Sequence, residues 1–592
     1  MSLIVQKFGG TSVADCQKIM AAARKAVRAR QEGHQVVVVV SAMGTNTDDL
    51  VDLARQICDR PPAREMDMLL STGEQVSVAL MAMAVHAMGY EAVSLTGGQI
   101  GIRTDSTHTK ARIHSISSDR MQRLLDEGKI VIAAGFQGID EGYNITTLGR
   151  GGSDTTAVAL AAVLHADACE IYTDVDGVYT TDPRILPEAR QMRRVSYDEM
   201  LELASLGAGV MHSRSIEFAK KFCVPIHVRN SFSDVPGTVI AALPESLHRP
   251  VTGATLTKAE ARVTIEGVPD RPGTSLTLFS KIAQRNISVD MIVQNIGAEG
   301  RADISFTVLE DDLPSALSAV EEAAAELGAA GVSHDDRVSK VSVVGLGMAK
   351  QTGVADRMFR ALAEAGINLL MITTSEIKIS VLVARDQASE ALRIVHRVFQ
   401  LHEPPGPEED DADAVKQFEA DANAVDVVAR LQGMEDLTVD DVLLDDTQSR
   451  VTITLVPDRP GVAAGIFEQV AAEGIFVDMI VQSSGHSGLA SISFTVPRAM
   501  LDQSVVVARR LSSEFGCGSV TSSPQVAKLS VSGIGMRSHT GVAIGMFNSL
   551  TRAGINVVMI NTSEVRVNVV VDGEHGKRGL AVLEEAFADA RA

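Results

Sequence analysis

The sequence predicts an α/β sandwich over residues 1–245 followed by four ferredoxin-like βαββαβ modules. Three observations predict it. Apolar strand-like runs alternate with helical runs over the first part, one long unit is duplicated at an offset of 188 residues, and a weaker copy recurs inside each unit at an offset of 80.

In the first part the strands are LIVQKF, VVVVVSAM, EAVSLTG, KIVIAAGFQG and CEIYTDVDGV. Near-continuous apolar strands such as VVVVV belong in a sheet covered on both faces. Between them lie helical runs, VADCQKIMAAARKAVRAR, DMLLSTGEQVSVALMAMAVHAMG and SDTTAVALAAVLHA, which supply that cover. In the second part VTIEGVPDRPG (263–273) returns as VTITLVPDRPG (451–461), matching at 9 of 11 positions, and GINLLMITTSEIKISVLV (366–383) returns as GINVVMINTSEVRVNVVV (554–571). The offset is 188 in both cases (451 minus 263, 554 minus 366). Phe279 aligns with Phe359, and Phe467 with Phe547, which gives the inner offset of 80 (359 minus 279, 547 minus 467). Each module reads as a strand, a Pro/Gly turn, a helix and a second strand; in the first a third strand (ADISFTV) and a second helix (LPSALSAVEEAAAEL) follow. The expected boundaries are 1–245 for the sandwich, 250–336 and 337–402 for modules 1 and 2, 403–436 for a linker, and 437–524 and 525–592 for modules 3 and 4. Small sheets of this kind have open edges, so edge-to-edge pairing of modules is expected, with a small ligand in the crevice. Dimerisation or spacing explains at least one pair equally well.

Composition narrows the function. The net charge of -21 is concentrated: residues 403–446 hold 15 Asp and Glu against Lys416 and Arg430. EPPGPEEDDADA within that segment has linker composition and should stay extended by self-repulsion. A basic footprint for nucleic acid is absent. No run approaches the roughly 18 consecutive apolar residues of a membrane span, and MSLIVQKFGG enters a strand without a leader-like segment. A cytoplasmic protein with no membrane partner is expected. The five cysteines are scattered and lack CxxC spacing, so they read as thiols and not as disulfides or a zinc site.

Ligands of open α/β sheets collect at the carboxyl ends of strands. There KFGGTS offers Lys7 as a mobile charge and Gly9 and Gly10 for close backbone approach to a phosphate, with a helix N-terminus following. A second loop, TLGRGGSDTTAVALAA, holds Arg150, Gly151, Gly152 and Ser153, with Ser153 or Asp154 as the expected helix cap and Arg150 as a fork for a carboxylate or phosphate. In STGEQVS, Glu74 interrupts an apolar helix start and reads as a ligand or a cap. TDVDGVYTTDPR carries Asp174, Asp176, Asp182 and Arg184 but lacks a calcium-loop frame. No metal-ligand set is expected.

KFGGTSV, SAMG (41–44), REMDMLLSTGEQVS (64–77), GFQG with TTLGRGGSDTTA, and IYTDVDGVYTTDPR, in this order, resemble aspartate kinases of the amino-acid kinase family. The later modules are similar to the ACT domains that follow in those enzymes, in a four-ACT form seen in some bacterial, notably cyanobacterial, members. The resemblance implies phosphoryl transfer from ATP, with Mg2+, to the β-carboxylate of L-aspartate, the first step toward lysine, threonine and methionine. It implies that Lys7 bridges the transferring group, that the amides of Gly9 and Gly10 cradle phosphate, that Arg150 holds the α-carboxylate and Glu74 the ammonium, and that Ser41 and Thr47 line the pocket. Asp154 orients Lys7 or the metal, and Thr173, Asp174, Tyr179 and Arg184 surround the nucleotide.

For the ACT half, the resemblance implies feedback by lysine, threonine or both. Asp270, Asp290, Gln294 and Asn295 of module 1 are expected to face Ile367, Asn368, Thr373 and Ser375 of module 2. Asp458, Asp478, Gln482, Ile555 and Asn556 are the counterparts in the duplicate. Asp270 and Asp458 fit an ordinary D-R-P-G turn as well. The open edges point to a homodimer. The rival readings are a non-catalytic amino-acid sensor and a kinase of the same fold with another acceptor.

Overall fold

The computed structural model describes residues 2–206, 210–296, 300–351, 353–406, 438–484, 488–534, 536 and 541–590. From residue 407 onward the expected linker lies outside the described residues. Two units are resolved: one holds Met1–Tyr179 and Gln191–Glu245, the other Thr180–Arg190, Ser246–Pro404 and Leu437–Ala592. The segment Thr180–Arg190 thus interrupts the expected range 1–245 and folds into the second unit.

In the first unit β1 (Leu3–Phe8), β2 (Gln35–Val40), β3 (Ala92–Leu95), β6 (Ile130–Ala134), β9 (Ala168–Thr173), β10 (Arg194–Ser196), β11 (Ile226–Asn230) and β12 (Thr238–Ala241) form one sheet in the order β10-β12-β11-β9-β1-β2-β6-β3. All neighbours are parallel except β11 and β12. The five residues Val36 to Val40 have no solvent exposure, as a sheet covered on both faces requires. A small second sheet, β5-β4-β7-β8, consists of β4 (Ile102–Thr104), β5 (Ile113–Ile116), β7 (Gln137–Ile139) and β8 (Ile145–Thr147). The chain runs from β1 to β2 on one side and returns to β9 on the other, which makes the β1/β9 crevice a switch point and the natural place for a ligand.

The helix Ala63–Ala87 is long and apolar enough to cross a membrane by length and composition, which a search for unbroken apolar runs misses because Asp67 and Glu74 interrupt it. Over half of its most apolar window is buried within the protein, and so are both acidic residues, as expected of a core helix.

The second unit contains β13 (Gly253–Pro269), β14 (Asp290–Ile296), β15 (Arg301–Leu309), β16 (Gly331–Val344), β17 (Met371–Thr374) and β18 (Lys378–Ala384), then β19 (Thr438–Pro457), β20 (Ile480–Ser484), β21 (Leu489–Pro497), β22 (Val520–Ile534), β23 (Val557–Thr562) and β24 (Arg566–Asp572). Among the described residues their order is β14-β15-β13-β16-β18-β17-β20-β21-β19-β22-β24-β23. The long strands β13 and β16 pair along nearly their whole length, so that Gly253 to Thr257 complete the sheet of module 2 before the chain enters module 1.

This topology overturns the expected facing of modules 1 and 2. They share a sheet centre, which leaves their free edges, β14 and β17, at opposite ends. Each edge meets the duplicate. β17 pairs with β20 of module 3 (Met371↔Ser483, Thr373↔Val481), while Gln294 of β14 donates to Val557 O of module 4 at 3.1 Å. Phe359 and Phe467 lie 5.7 Å apart across one junction, Phe279 and Phe547 5.8 Å across the other. At the centre Met291, Met371, Met479 and Met559, one from each module, are buried in a common cluster with Val293, Leu382, Val481 and Val570.

The segment Thr180–Arg190 is held by module 2. Thr180 O accepts from Ala254 N at 2.8 Å, and Thr180 Oγ1 lies 3.0 Å from His396 Nε2. Burial lowers His396 to about 4, so the imidazole is neutral and can accept the hydroxyl proton.

Met371→Ala should destabilise the second unit by about 2–5 kcal/mol, because it opens a cavity where four modules meet. The check is a lowered urea midpoint for the ACT transition with the sandwich transition in place.

Candidate active site

Lys7 Nζ lies 2.5 Å from Asp154 Oδ1, both nearly buried. Lys7 is next to last in β1, and Asp154 sits in the first turn of the helix Gly152–Val163, whose N-terminal dipole end favours a carboxylate. A buried ammonium paired with one carboxylate keeps donors for a phosphate oxygen. Gly9 N donates to Tyr172 O at 3.3 Å, closing β1 onto β9. A Cβ on Gly10 would stand 2.9 Å from Ala42 O, so the SAMG turn packs directly on the glycine pair.

Two local expectations change here. A single 3-10 turn, Gly10–Val13, follows the glycines, and the long helix starts at Cys16 with its N-terminus capped by Asp15, which accepts from Lys18 N. The helix after GRGG is capped by Gly151 and by neither Ser153 nor Asp154, which lie within its first turn; this frees Asp154 for Lys7. Gly151 has φ +72, and a Cβ there would come 2.3 Å from His212 Cβ.

Arg150 is exposed and makes no hydrogen bond or ion pair among the described residues. The loop around it is braced from behind. Arg214 donates to Leu148 O at 2.5 Å and to Ala111 O at 2.7 Å. Asp67, fully buried, accepts from Thr147 Oγ1 at 2.5 Å and Thr109 N at 3.0 Å, with His108 Nδ1 at 2.7 Å. Neither Asp67, His212 nor Arg214 stands out in the sequence, because each acts on loops 40 or more residues away; only the polarity of Asp67 in an apolar helix hinted at a buried role.

Glu74 is not a cap. It lies mid-helix in Ala63–Ala87, 3% exposed, and Oε1 accepts from Ala42 N at 3.1 Å while Oε2 has no partner. Burial raises its pKa to about 7 against the opposing hydrogen bonds. Ser41 and Thr47 are half-buried at the end of β2 and in the helix Asn46–Ile57. Thr173 closes β9, with its hydroxyl 3.3 Å from the exposed Asp174. Tyr179 is half-buried in the first unit, whereas Arg184 belongs to the second, paired with Asp182 at 2.8 Å. Asp176 accepts from Asn230 Nδ2 at 2.7 Å, a structural use that accounts for the calcium-like spacing.

In the ACT half the expected effector residues divide differently. Asp270 accepts from Asn556 Nδ2 and Asp458 from Asn368 Nδ2, each at 2.7 Å, so these turns bind module 1 to module 4 and module 2 to module 3. Gln482 donates to Leu369 O at 2.8 Å. Ile367 and Ile555 are core residues, and Thr373 is a buried member of β17. Asp290 is held by Lys340 at 2.7 Å and Asp478 by Lys528 at 2.5 Å. Ser375 and Asp478 line one cavity. The side chain of Asn295 lies outside the described residues.

Residues 2–230 match the amino acid kinase family model, and residues 263–324, 341–399, 454–511 and 529–587 each match an ACT domain. An aspartate kinase of Stutzerimonas stutzeri is 50% identical over 408 residues, covering 69% of this chain and 99% of that protein. The chain belongs to the aspartate kinase family. The crystal structure of aspartate kinase from Synechocystis aligns over 100% of this chain and 98% of that one, at 40% identity and a TM-score of 0.52. E. coli aspartokinase III aligns over about two thirds of this chain in its complex with aspartate and ADP (25% identity, TM-score 0.57) and with lysine and aspartate (26%, 0.55). The Synechocystis alignment spans all four ACT matches.

Lys7→Met should lower turnover by far more than tenfold, about 1.4 kcal/mol of transition-state stabilisation, read as acyl phosphate trapped with hydroxylamine. Gly151→Ala should disturb the Arg150 loop through both its positive φ and the His212 contact, raising the acceptor KM more than it lowers thermal stability.

Proposed function

We propose that the chain transfers the γ-phosphoryl group of ATP to the β-carboxylate of L-aspartate, giving 4-phospho-L-aspartate and ADP, under feedback by lysine, threonine or both through its ACT modules. The observation that carries the reading is a set of four charged residues: the Lys7–Asp154 pair at the end of β1, Arg150, which has no partner among the described residues, and the buried Glu74 with one oxygen unsatisfied. Arg150 suits the α-carboxylate and Glu74 the ammonium of an amino acid. The family match and the aspartate and ADP bound by E. coli aspartokinase III support the same assignment.

The chemistry needs little else. A β-carboxylate, with an ordinary pKa near ~3.9, is already anionic at neutral pH, so no general base is required. Its oxygen attacks the γ-phosphorus, the bond to the bridging oxygen of ADP breaks, and no proton moves. What the protein supplies is alignment and positive charge. In this reading Lys7 holds the transferring group, and Asp154, 2.5 Å from its ammonium, orients it. The amide of Gly10 meets phosphate, because Gly9 N–H is spent on Tyr172 O and Gly9 contributes only its lack of a side chain, while Ser41, Thr47, Gly151, Gly152 and Ser153 shape the acceptor pocket. Thr173, Asp174 and Tyr179 are assigned to the nucleotide.

Among the described residues no group of three or more His, Cys, Asp or Glu could hold a metal ion. Mg2+ is assigned in this reading to the nucleotide phosphates, where it would neutralise charge, with Asp154 as the carboxylate beside Lys7. A cytoplasmic homodimer completes the proposal, built on surfaces other than β17 and β20, which pair within one chain.

Hydroxamate formed from ATP with aspartate, and not with glutamate, tests the acceptor; none with aspartate would refute the reading. Glu74 gives a second test. Its raised pKa means that the anion needed for the substrate ammonium is lost below about 7. The KM for aspartate should fall as pH rises from 6 to 8, and Glu74→Gln should raise KM and flatten that dependence.

A further inference from the structure

Glu74 and Arg150 reach the proposed acceptor from different parts of the chain, one on the helix Ala63–Ala87 and the other in the loop that follows β8. An amino acid read by both at once requires a fixed separation between helix and loop. Asp67 stands where it can set that separation. It lies seven residues before Glu74 on the buried face of the same helix, two turns and about 10 Å along the axis.

Both oxygens of Asp67 are engaged by the chain. Oδ1 accepts from the Thr147 hydroxyl at 2.5 Å and from Thr109 N at 3.0 Å; Oδ2 accepts from the same amide at 3.1 Å and faces His108 Nδ1 at 2.7 Å. Thr147 ends β8, three residues before Arg150. Thr109 flanks the loop on its other side: its carbonyl oxygen would stand 3.0 Å from a Cβ on Gly149, and Ala111 N donates to Thr147 O at 2.9 Å. Thr109 has φ +68, a conformation that a β-branched residue rarely adopts. A second tie runs one turn further along the helix, where Ser71 O accepts from Gln137 Nε2 at 3.0 Å, and Gln137 is the β7 partner of Thr147. Stability alone does not call for a carboxylate here, because a buried anion carries a large desolvation cost that an apolar residue avoids. Three groups gathered on one fixed anion give position, and backbone strain of the kind held at Thr109 gathers at functional sites.

We infer that Asp67 is a positioning residue for the acceptor: it ties the Arg150 loop to the helix that carries Glu74, and so sets the spacing at which the α-carboxylate and the ammonium of one amino acid are read together. The inference rests on the acceptor assignment of Arg150 and Glu74 above. Asp67 itself touches no substrate, since neither of its oxygens is left for one. The helix thus carries two buried carboxylates with different tasks, one saturated and fixed, the other with an oxygen open.

The test is the hydroxamate assay on the full chain, with L-aspartate and ATP varied separately. Asp67→Asn turns a donor toward groups that now donate to Asp67, and should raise the aspartate KM by about tenfold while the ATP KM changes little. Thr147→Val removes only the hydroxyl and should act in the same direction; Thr147→Ser keeps it and should recover most of the loss. That pair decides the matter if Asp67→Asn folds poorly. Combined with Glu74→Gln, Asp67→Asn should raise KM by less than the product of the two single effects, because both act on one set of contacts. Equal rises in the aspartate and ATP KM values, or fully multiplicative effects in the double variant, would mean general loosening and overturn the inference. An unchanged aspartate KM in both Asp67→Asn and Thr147→Val would overturn it as well, and a raised KM in Glu74→Gln would then leave the acceptor assignment standing. No effect of Glu74→Gln would overturn that assignment and this inference with it.

Discussion

A ferredoxin-like sheet ends in a strand whose N–H and C=O groups lack a partner, and the second half of this chain is organised by that constraint. Two modules joined through β13 and β16 leave two such edges, β14 and β17, at opposite ends. A second pair with the same geometry can cover both. The pairing of β17 with β20, the Gln294 and Gln482 bonds and the four central methionines all follow from that closure.

The catalytic half meets a different requirement, that of keeping charges buried without neutralising them. Lys7 and Asp154 satisfy each other in part, and the helix dipole assists Asp154. Glu74 sits where burial raises its pKa toward neutrality. Arg150 has no partner among the described residues, while Arg214 and Asp67 hold its loop through Leu148 O and the Thr147 hydroxyl. Phosphoryl transfer to a carboxylate rewards this arrangement, since fixed charge and alignment are the main things it needs.

The layers of the fold were legible because their signal is local: alternation and apolar runs mark strands, and a repeat marks modules. Lys7, Arg150 and the glycines were legible for the same reason, lying in short loops at strand ends. Of the two readings of Glu74, the cap fails because the helix begins at Ala63, upstream of the apolar stretch that suggested its start. Asp67, His212 and Arg214 left little local trace, since their partners are distant in sequence. The crossed pairing of modules was equally hidden. Open edges say that pairing occurs, but which edges meet depends on β13 and β16 sharing the centre of a sheet, and the pattern of one strand does not encode its neighbour.

The segment Thr180–Arg190 has a consequence for how the two ACT pairs have been able to change. It exists once, inside the catalytic sequence, whereas the modules that receive it exist twice. The first pair must keep a hydroxyl-accepting imidazole at His396 and space at Ala254 to seat it. The second pair carries Glu584 and Val442 at those positions, since no equivalent strand of catalytic sequence was copied along with it. The second copy is thus free of a contact that the first copy makes with the catalytic sequence.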